Sequence, residues 1–198
     1  AIAALLTQQV LPRLEIPKFN GDPDRWLDFI TKFHDLVHAE ILLTGIRKCA
    51  LLYQNLSGEA RRSTAGLACN WKGYVTALKR LKYLFGDISI VASSVIKKIS
   101  QGTVIKADNG TQLSQFLYDV SDAIIALEQL GNTADLRGSE VLNLTARRLS
   151  RPLRLKWGDQ VSRLKARGQR PDLLAFEKWL RQRVISLREA GIYENVET

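Results

Sequence analysis

Few residues of this chain have the type and spacing that chemistry needs. His34 and His38 stand four positions apart, a spacing that can place two imidazoles on one helix face around a metal ion. The three residues between them are Asp35, Leu36 and Val37, so the metalloprotease pattern with Glu beside the first His is absent, and no third ligand is nearby. We therefore interpret the pair as part of a solvated helix face and predict no metal site.

The two cysteines give no stronger indication of catalysis. Cys49 could pair with a histidine as nucleophile and base, but it falls on an apolar stripe, which favours a buried structural thiol. Two cysteines are too few for a disulfide framework or a zinc knuckle, so we predict that Cys49 and Cys69 are reduced and that the protein is intracellular. A glycine-rich phosphate loop and an aspartic-protease triplet are also missing. We predict no enzymatic activity and no cofactor.

A basic cluster is the most distinctive chemical feature. Nine basic residues and one acid, Asp159, lie between positions 147 and 170, and the whole chain carries a net charge of +9. One interpretation is a contact surface for phosphate or RNA, to which arginine is suited by bidentate binding; the other is a solvated face, or arginines paired with acids of a neighbouring helix. No aromatic residue is interleaved on that face for base stacking, so RNA binding would be through the backbone and non-specific. The candidates are Arg147, Arg148, Arg151, Arg154, Lys156, Arg163, Lys165, Arg167 and Arg170.

The clearest helix start lies far from that cluster. Asp22 is suited to cap a helix in which Pro23 is the first residue, because proline loses nothing there by lacking an N–H. Apolar residues then recur at helical spacing and predict a core helix. The predicted core of this part of the chain consists of Trp26, Phe29, Phe33, Trp71 and Phe85.

The same alternation of helix signals and turn signals continues along the chain. It predicts about nine helices and no confident strand, which indicates an all-α fold. The predicted helices span 23–38, 44–56, 59–67, 71–85, 88–99, 111–130, 139–149, 152–164 and 173–187.

The weakest point for one continuous core is the Gly86–Asp87 break. We predict an extended N-terminal arm at 1–18, a lobe of about four helices at 19–87, a lobe of about five helices at 88–191 and a tail at 192–198. No apolar run approaches the roughly 20 residues of a membrane span, so no membrane partner is expected.

Residues 11–87 resemble the Gag capsid proteins of retrotransposons, most closely those of the BEL/Pao group. The resemblance rests on an ordered set of pieces: LPRLEIPKFNGDPDRWLDFITKF, then LLYQNLSGEARRSTAGL, then YVTALKRLKYLFGD. The order is also similar to the gypsy-like Gag capsid lobes of Arc, including the Asn-Trp pair at Asn70 and Trp71.

A turn in the second half is similar to the major homology region of retroviral capsids. It is carried by Asn109, Gly110, Gln112 and Phe116. The chain departs from that region in two ways: Asn109 stands where Gln is usual, and the usual acidic residue is missing.

The resemblance implies a two-lobe structural capsid protein, of an LTR retrotransposon or a domesticated derivative, that self-assembles into a virus-like shell and packages RNA. The partner is then a second copy of the chain, through five-fold and six-fold ring contacts of the N-lobes and dimer contacts of the C-lobes. Gly86 and Asp87 fall at the interlobe linker. We expect the surface of the first helix to make ring contacts, the long helix around Phe116 and Tyr118 to pair C-lobes, and cytoplasmic particles to form.

Two alternatives remain. The chain could be a peptide- or protein-binding adaptor, whose aromatic stripe accepts an extended apolar segment such as the arm itself. It could also be a basic helical RNA-binding domain that does not assemble.

Overall fold

The fold is all-α, as the sequence predicts. The computed structural model describes residues 15–191, which leaves most of the predicted arm and the whole predicted tail outside the described residues. This part of the chain contains ten α-helices and one π-helical turn, His34–His38. No helix within it is both long and apolar enough to cross a membrane. The helices are α1 (Pro23–Phe33), α2 (Gly45–Asn55), α3 (Gly58–Thr64), α4 (Trp71–Phe85), α5 (Ile88–Ser100), α6 (Gly110–Gln129), α7 (Thr133–Arg137), α8 (Ser139–Ala146), α9 (Arg151–Ala166) and α10 (Leu173–Glu189).

Polar caps fix where several of these helices begin. The side chain of Asp22 accepts a hydrogen bond from the Asp24 N–H, and Asn70 accepts one from the Gly73 N–H at 2.8 Å. Thr44 caps α2 in the same way. Each cap satisfies a backbone donor that has no partner inside the helix. The predicted starts of these three helices are therefore confirmed.

Contacts among the described residues group into two compact units. The first ends at Val91 and the second begins at Ala92, so the division falls inside α5. The lobe boundary at Gly86–Asp87, between α4 and α5, stays a prediction.

The first unit has an aromatic core centred on Phe19. Its ring stacks on Phe29 with centroids 5.0 Å apart and meets the edges of Trp26 and Phe85, each at 5.4 Å. The backbone of Phe19 accepts from the Ser57 N–H at 2.9 Å and donates to the Asn55 carbonyl at 2.8 Å. All four aromatic side chains are buried. The residue before α1 is thus held in the core by its side chain and by its backbone.

Trp71 corrects the predicted core, because 56% of it is exposed. Trp71 is the first residue of α4, directly after the Asn70 cap. The aromatic residue that points into the core is Tyr74, one turn later. Tyr74 and Leu81 are fully buried along that stripe. Since side chains three and four apart share a face, the apolar pattern could have been started from either aromatic residue.

The second unit is built around α6. Its inner face buries Leu113, Phe116 and Val120, against which α10 packs Phe176. The Phe176 ring lies edge-on to Phe116, with centroids 6.2 Å apart, and edge-on to Trp157 of α9, at 5.0 Å. These contacts fix α9 to the core and leave the rest of its circumference facing outward.

Two local features were not predicted. The chain leaves α1 through the π-helical turn rather than continuing as an α-helix to residue 38. The short helix α7 follows α6 at once, with Asn132 as its N-cap, in the gap between the predicted helices 111–130 and 139–149. Neither segment contains two full α-helical turns, so neither shows an apolar period of its own.

Candidate nucleic-acid interface

The basic cluster covers the outward side of α9 and the segments on either side of it. Eight of its nine residues are exposed: Arg147, Arg151, Arg154, Lys156, Arg163, Lys165, Arg167 and Arg170. Arg147 is the C-cap of α8, five members lie on α9, and the last two lie in the segment that follows α9. The exposed acid Asp159 is the only acidic residue among them.

Helical spacing arranges the five α9 members in two rows. Arg151, Arg154 and Lys165 lie on one flank of the helix, and Lys156 and Arg163 lie on the other. The buried residues Leu153 and Trp157 take the inner side between the rows. Cations in rows along a helix suit the repeated charges of a phosphate backbone, because each can neutralise a phosphate without reading a base.

Arg148 differs from the other eight because its guanidinium is partly buried. It donates to the carbonyl oxygens of Lys98 and Ile99, both at 3.3 Å, and lies over the ring of Phe116. Its Nε is enclosed without a hydrogen-bond partner among the described residues. Burial lowers the pKa of Arg148. We therefore leave Arg148 out of the contact surface: it is the one candidate that the structure turns toward the core.

The turn before α6 is organised by two side chains. Asn109 caps α6 by accepting from the Gln112 N–H at 2.8 Å. The Gln112 amide reaches back along the loop, where its Oε1 accepts from the Lys106 N–H at 2.9 Å and its Nε2 donates to the Val104 carbonyl at 3.1 Å. Gly110 and Phe116 are buried in the first turns of the helix. Two hydrogen bonds of one side-chain amide thus hold the loop against the start of α6.

The same loop is hydrogen-bonded to the segment between α8 and α9, where the basic cluster begins. Ile105 and Leu149 form an isolated parallel bridge, in which Ile105 donates to the Arg148 carbonyl at 2.7 Å and accepts from the Ser150 N–H at 2.9 Å. The sequence gave no sign of this bridge, because its hydrogen bonds join residues more than 40 positions apart. The turn therefore positions the start of α9.

The predicted linker residues are each held by defined contacts. Gly86 ends α4 by donating to the Lys82 carbonyl at 2.9 Å, and a Cβ there would lie 2.9 Å from the Trp26 ring. Asp87 accepts from the N–H groups of Ser89 and Ile90, at 2.9 and 3.1 Å. Gly86 is thus required for close packing under Trp26, and Asp87 caps α5.

The two histidines lie side by side, with ring centroids 5.3 Å apart. His38 Nδ1 is 2.9 Å from the Tyr74 hydroxyl, and the Lys48 amine donates to the His38 carbonyl at 2.7 Å. Burial, together with the charges of His34 and Lys48, lowers the pKa of His38. Among residues 15–191, no group of three or more His, Cys, Asp and Glu side chains could hold a metal ion.

Exposed apolar side chains mark one face of the second unit. Tyr118 and Ile125 of α6 are 51% and 52% exposed, and Ile185 of α10 is also exposed. Phe116, which we expected near a pairing surface, is instead in the core. The surface that remains for such a contact runs along Tyr118 and Ile125, seven residues apart on one face of α6.

Comparison with known proteins identifies one family. No curated protein and no solved structure matches the chain. A family model described as "Protein of unknown function (DUF1759)" matches residues 19–166, which is most of the chain. Domains of this family are found in Gag-like and Pol polyprotein regions of retrotransposons. The match runs from Phe19, at the centre of the first core, to the end of α9, and the chain belongs to the DUF1759 family.

Proposed function

We propose that this chain is the structural capsid domain of a retrotransposon Gag protein, BEL/Pao-like and related to the Gag-derived lobes of Arc. In this proposal, copies of the chain associate into a shell around RNA. The observation that carries the proposal is the extent of the family match, residues 19–166, which includes the aromatic core, the Asn109–Gln112 turn and the basic helix α9. A family found in Gag-like regions supports the retroelement origin; assembly and packaging are the proposed part.

Contacts between copies would use exposed side chains outside the two cores. On the second unit we propose the α6 face of Tyr118 and Ile125, since both present large apolar groups at helical spacing. On the first unit we propose the exposed face of α1, which carries Asp28, together with Asp35 of the π-helical turn that follows it. Each contact can be weak, because a closed shell repeats it many times.

RNA would contact the exposed cations of the cluster. Arginine supplies planar, bidentate donors to phosphate, and the two rows on α9 offer cations on both flanks. No exposed aromatic ring lies within the cluster between Arg147 and Arg170, because Trp157 is buried. Binding of this kind is non-specific and weakens steeply with salt.

Light scattering of the purified chain over a wide range of protein concentration tests assembly. We expect mass to rise with concentration, and the rise to be lost in a Tyr118→Glu, Ile125→Glu double variant. The control is Val104→Glu with Thr133→Glu, which places two charges at exposed positions elsewhere; Val104 is 56% exposed. Equal loss of association in both variants would reject the α6 face as the contact surface. A constant monomer mass in the wild type would reject assembly itself.

RNA binding without assembly is the second candidate function. The eight exposed cations favour it, because their exposure does not depend on any contact between copies. It predicts a monomer whose RNA affinity falls steeply with salt. The adaptor alternative is not proposed, because Trp26, Phe29 and Phe33 are buried in their own core and offer no open groove.

A further inference from the structure

The two cysteines lie where the segment between α3 and α4 packs against α2 in the first unit: Cys49 on the helix and Cys69 on the segment. Ile46, Cys49 and Tyr53 follow each other along one face of α2. The segment between α3 and α4 crosses this face: the Tyr53 hydroxyl donates to the Leu67 carbonyl at 3.3 Å, and the Cys69 Sγ donates to the Ile46 carbonyl at 3.8 Å. Since the Ile46 carbonyl points along α2 toward the next turn, Cys69 is placed beside Cys49.

The two thiols are close enough to influence each other, and they differ in access. Cys49 is fully buried and Cys69 is exposed. Burial in the first place, and then the contact with Cys69, raises the pKa of Cys49 to about 11. Because the thiolate is the reactive form, the buried Cys49 should react slowly with an oxidant in solution, and the exposed Cys69 is the thiol that such an oxidant reaches first.

We propose that Cys69 and Cys49 form an oxidation site, in which Cys69 reacts with a hydroperoxide and Cys49 resolves the product as an intramolecular disulfide. In the first step the Cys69 thiolate attacks a peroxide oxygen, the O–O bond breaks, and hydrogen peroxide leaves one water and a Cys69 sulfenic acid. In the second step the Cys49 sulfur attacks the Cys69 sulfur, the S–O bond breaks, and the oxygen leaves as a second water. Two thiols are oxidised by two electrons and the peroxide is reduced by two.

The disulfide would join α2 covalently to the segment that crosses it. Residues 65–70 connect α3 to α4, and they now contact α2 through the hydrogen bonds of Tyr53 and Cys69. A covalent bond at Cys69 would prevent this connection from opening away from α2. The site is independent of the proposed capsid function, since both sulfurs belong to one copy.

The experiment treats the full chain with hydrogen peroxide, blocks the remaining thiols, and digests with trypsin without reduction. Cleavage after Lys48, Arg61, Arg62 and Lys72 separates the cysteines into peptides 49–61 and 63–72. We expect these two peptides to appear joined, and free thiols to fall from two per chain to none. A mixture of ¹⁵N-labelled and unlabelled chains should give the joined pair with both peptides labelled or both unlabelled.

Two variants decide which thiol reacts first. Cys69→Ser changes an exposed residue, so the fold is kept, and Cys49 should then resist peroxide. Cys49→Ala should leave Cys69 trapped as a sulfenic acid that a dimedone probe captures; if this variant fails to fold, the Cys69→Ser result and the labelled mixture still decide. Mixed-label pairs in the statistical proportion that pairing between chains gives, or Cys69 oxidised to sulfinic acid with Cys49 still a free thiol in the wild type, would overturn the proposal.

Discussion

The guanidinium carbon of Arg148 lies 4.8 Å from the centroid of the Phe116 ring. Arg148 belongs by sequence to the basic cluster, and Phe116 belongs to the turn-and-helix motif before it. The same guanidinium also donates to the last carbonyls of α5. One cation therefore joins α5, α6 and the α8–α9 junction, and it stabilises the scaffold from which its eight neighbours project.

Replacing Arg148 should therefore lower stability, whereas replacing its neighbour should not. Arg148→Ala removes two hydrogen bonds and the contact with the Phe116 ring, for an expected cost of about 1–3 kcal/mol in the free energy of unfolding. Arg147→Ala, at an exposed position one residue earlier, should change it by less than about 0.5 kcal/mol. Denaturant unfolding of both variants checks this, and equal effects would argue against a structural role for Arg148.

Gln112 should be required for order in the loop that precedes α6. Gln112→Ala removes the contacts to the backbone of Lys106 and Val104, for an expected cost of about 1–3 kcal/mol. Amide exchange in residues 101–109 should then speed up. Gln115→Ala is the matched control, since Gln115 is exposed and its amide donates to Asp119, four residues on in the same helix. If the two variants unfold at the same denaturant concentration, Gln112 does not hold the loop.

The affinity for RNA should depend on where the cations lie on the chain, and not on their number alone. Changing Arg151, Arg154, Lys156 and Arg163 to Gln should weaken binding of single-stranded RNA and lower the slope of log K against log salt by about 0.7 for each lost phosphate contact. The control removes the same charge from the first unit, with Arg62, Lys72, Lys79 and Lys82 changed to Gln. Equal weakening in both quadruple variants would show that only net charge counts, and the α9 surface would then be rejected.

His38 should make stability depend on pH. Its pKa is lowered below 6.5 in the folded state, so the unfolded chain binds more protons as the pH falls. The contribution of neutral His38 to the stability of the folded state is therefore complete above pH 6.5. It is lost as the pH falls from there through the pKa that His38 has in the folded state. Between pH 7.5 and lower pH, the free energy of unfolding should fall more in the wild type than in His38→Asn. His34→Gln keeps the bond between His38 and Tyr74, so its free energy of unfolding should fall nearly as much as that of the wild type. An unchanged pH dependence in His38→Asn would contradict this account.

Short-range rules predicted the fold class and the helix starts. Asp22, Thr44 and Asn70 act within three residues of where they stand, so their roles can be read from the chain. The alternation of such caps with apolar stripes was enough to predict an all-α fold. Boundaries at helix ends were less accurate, as the π-helical turn after Phe33 shows.

Features that depend on distant neighbours could not be predicted. By helical spacing Ile46 shares a face of α2 with the buried Cys49, yet it is 64% exposed, while Lys48 is buried because its amine reaches the His38 carbonyl. Arg148 looks like its neighbours in sequence, and only the position of Phe116 and the end of α5 shows that it turns inward. In each case the outcome depends on a contact across more than one helix, which spacing along one helix does not encode.

Electron microscopy of the purified chain, with and without RNA and across salt concentrations, tests the proposed capsid function most directly. We expect closed particles at high protein concentration, and nuclease-protected RNA inside them when RNA is supplied. The Tyr118→Glu, Ile125→Glu variant should give none. A wild-type chain that stays strictly monomeric under all of these conditions, with no particles, would contradict the account.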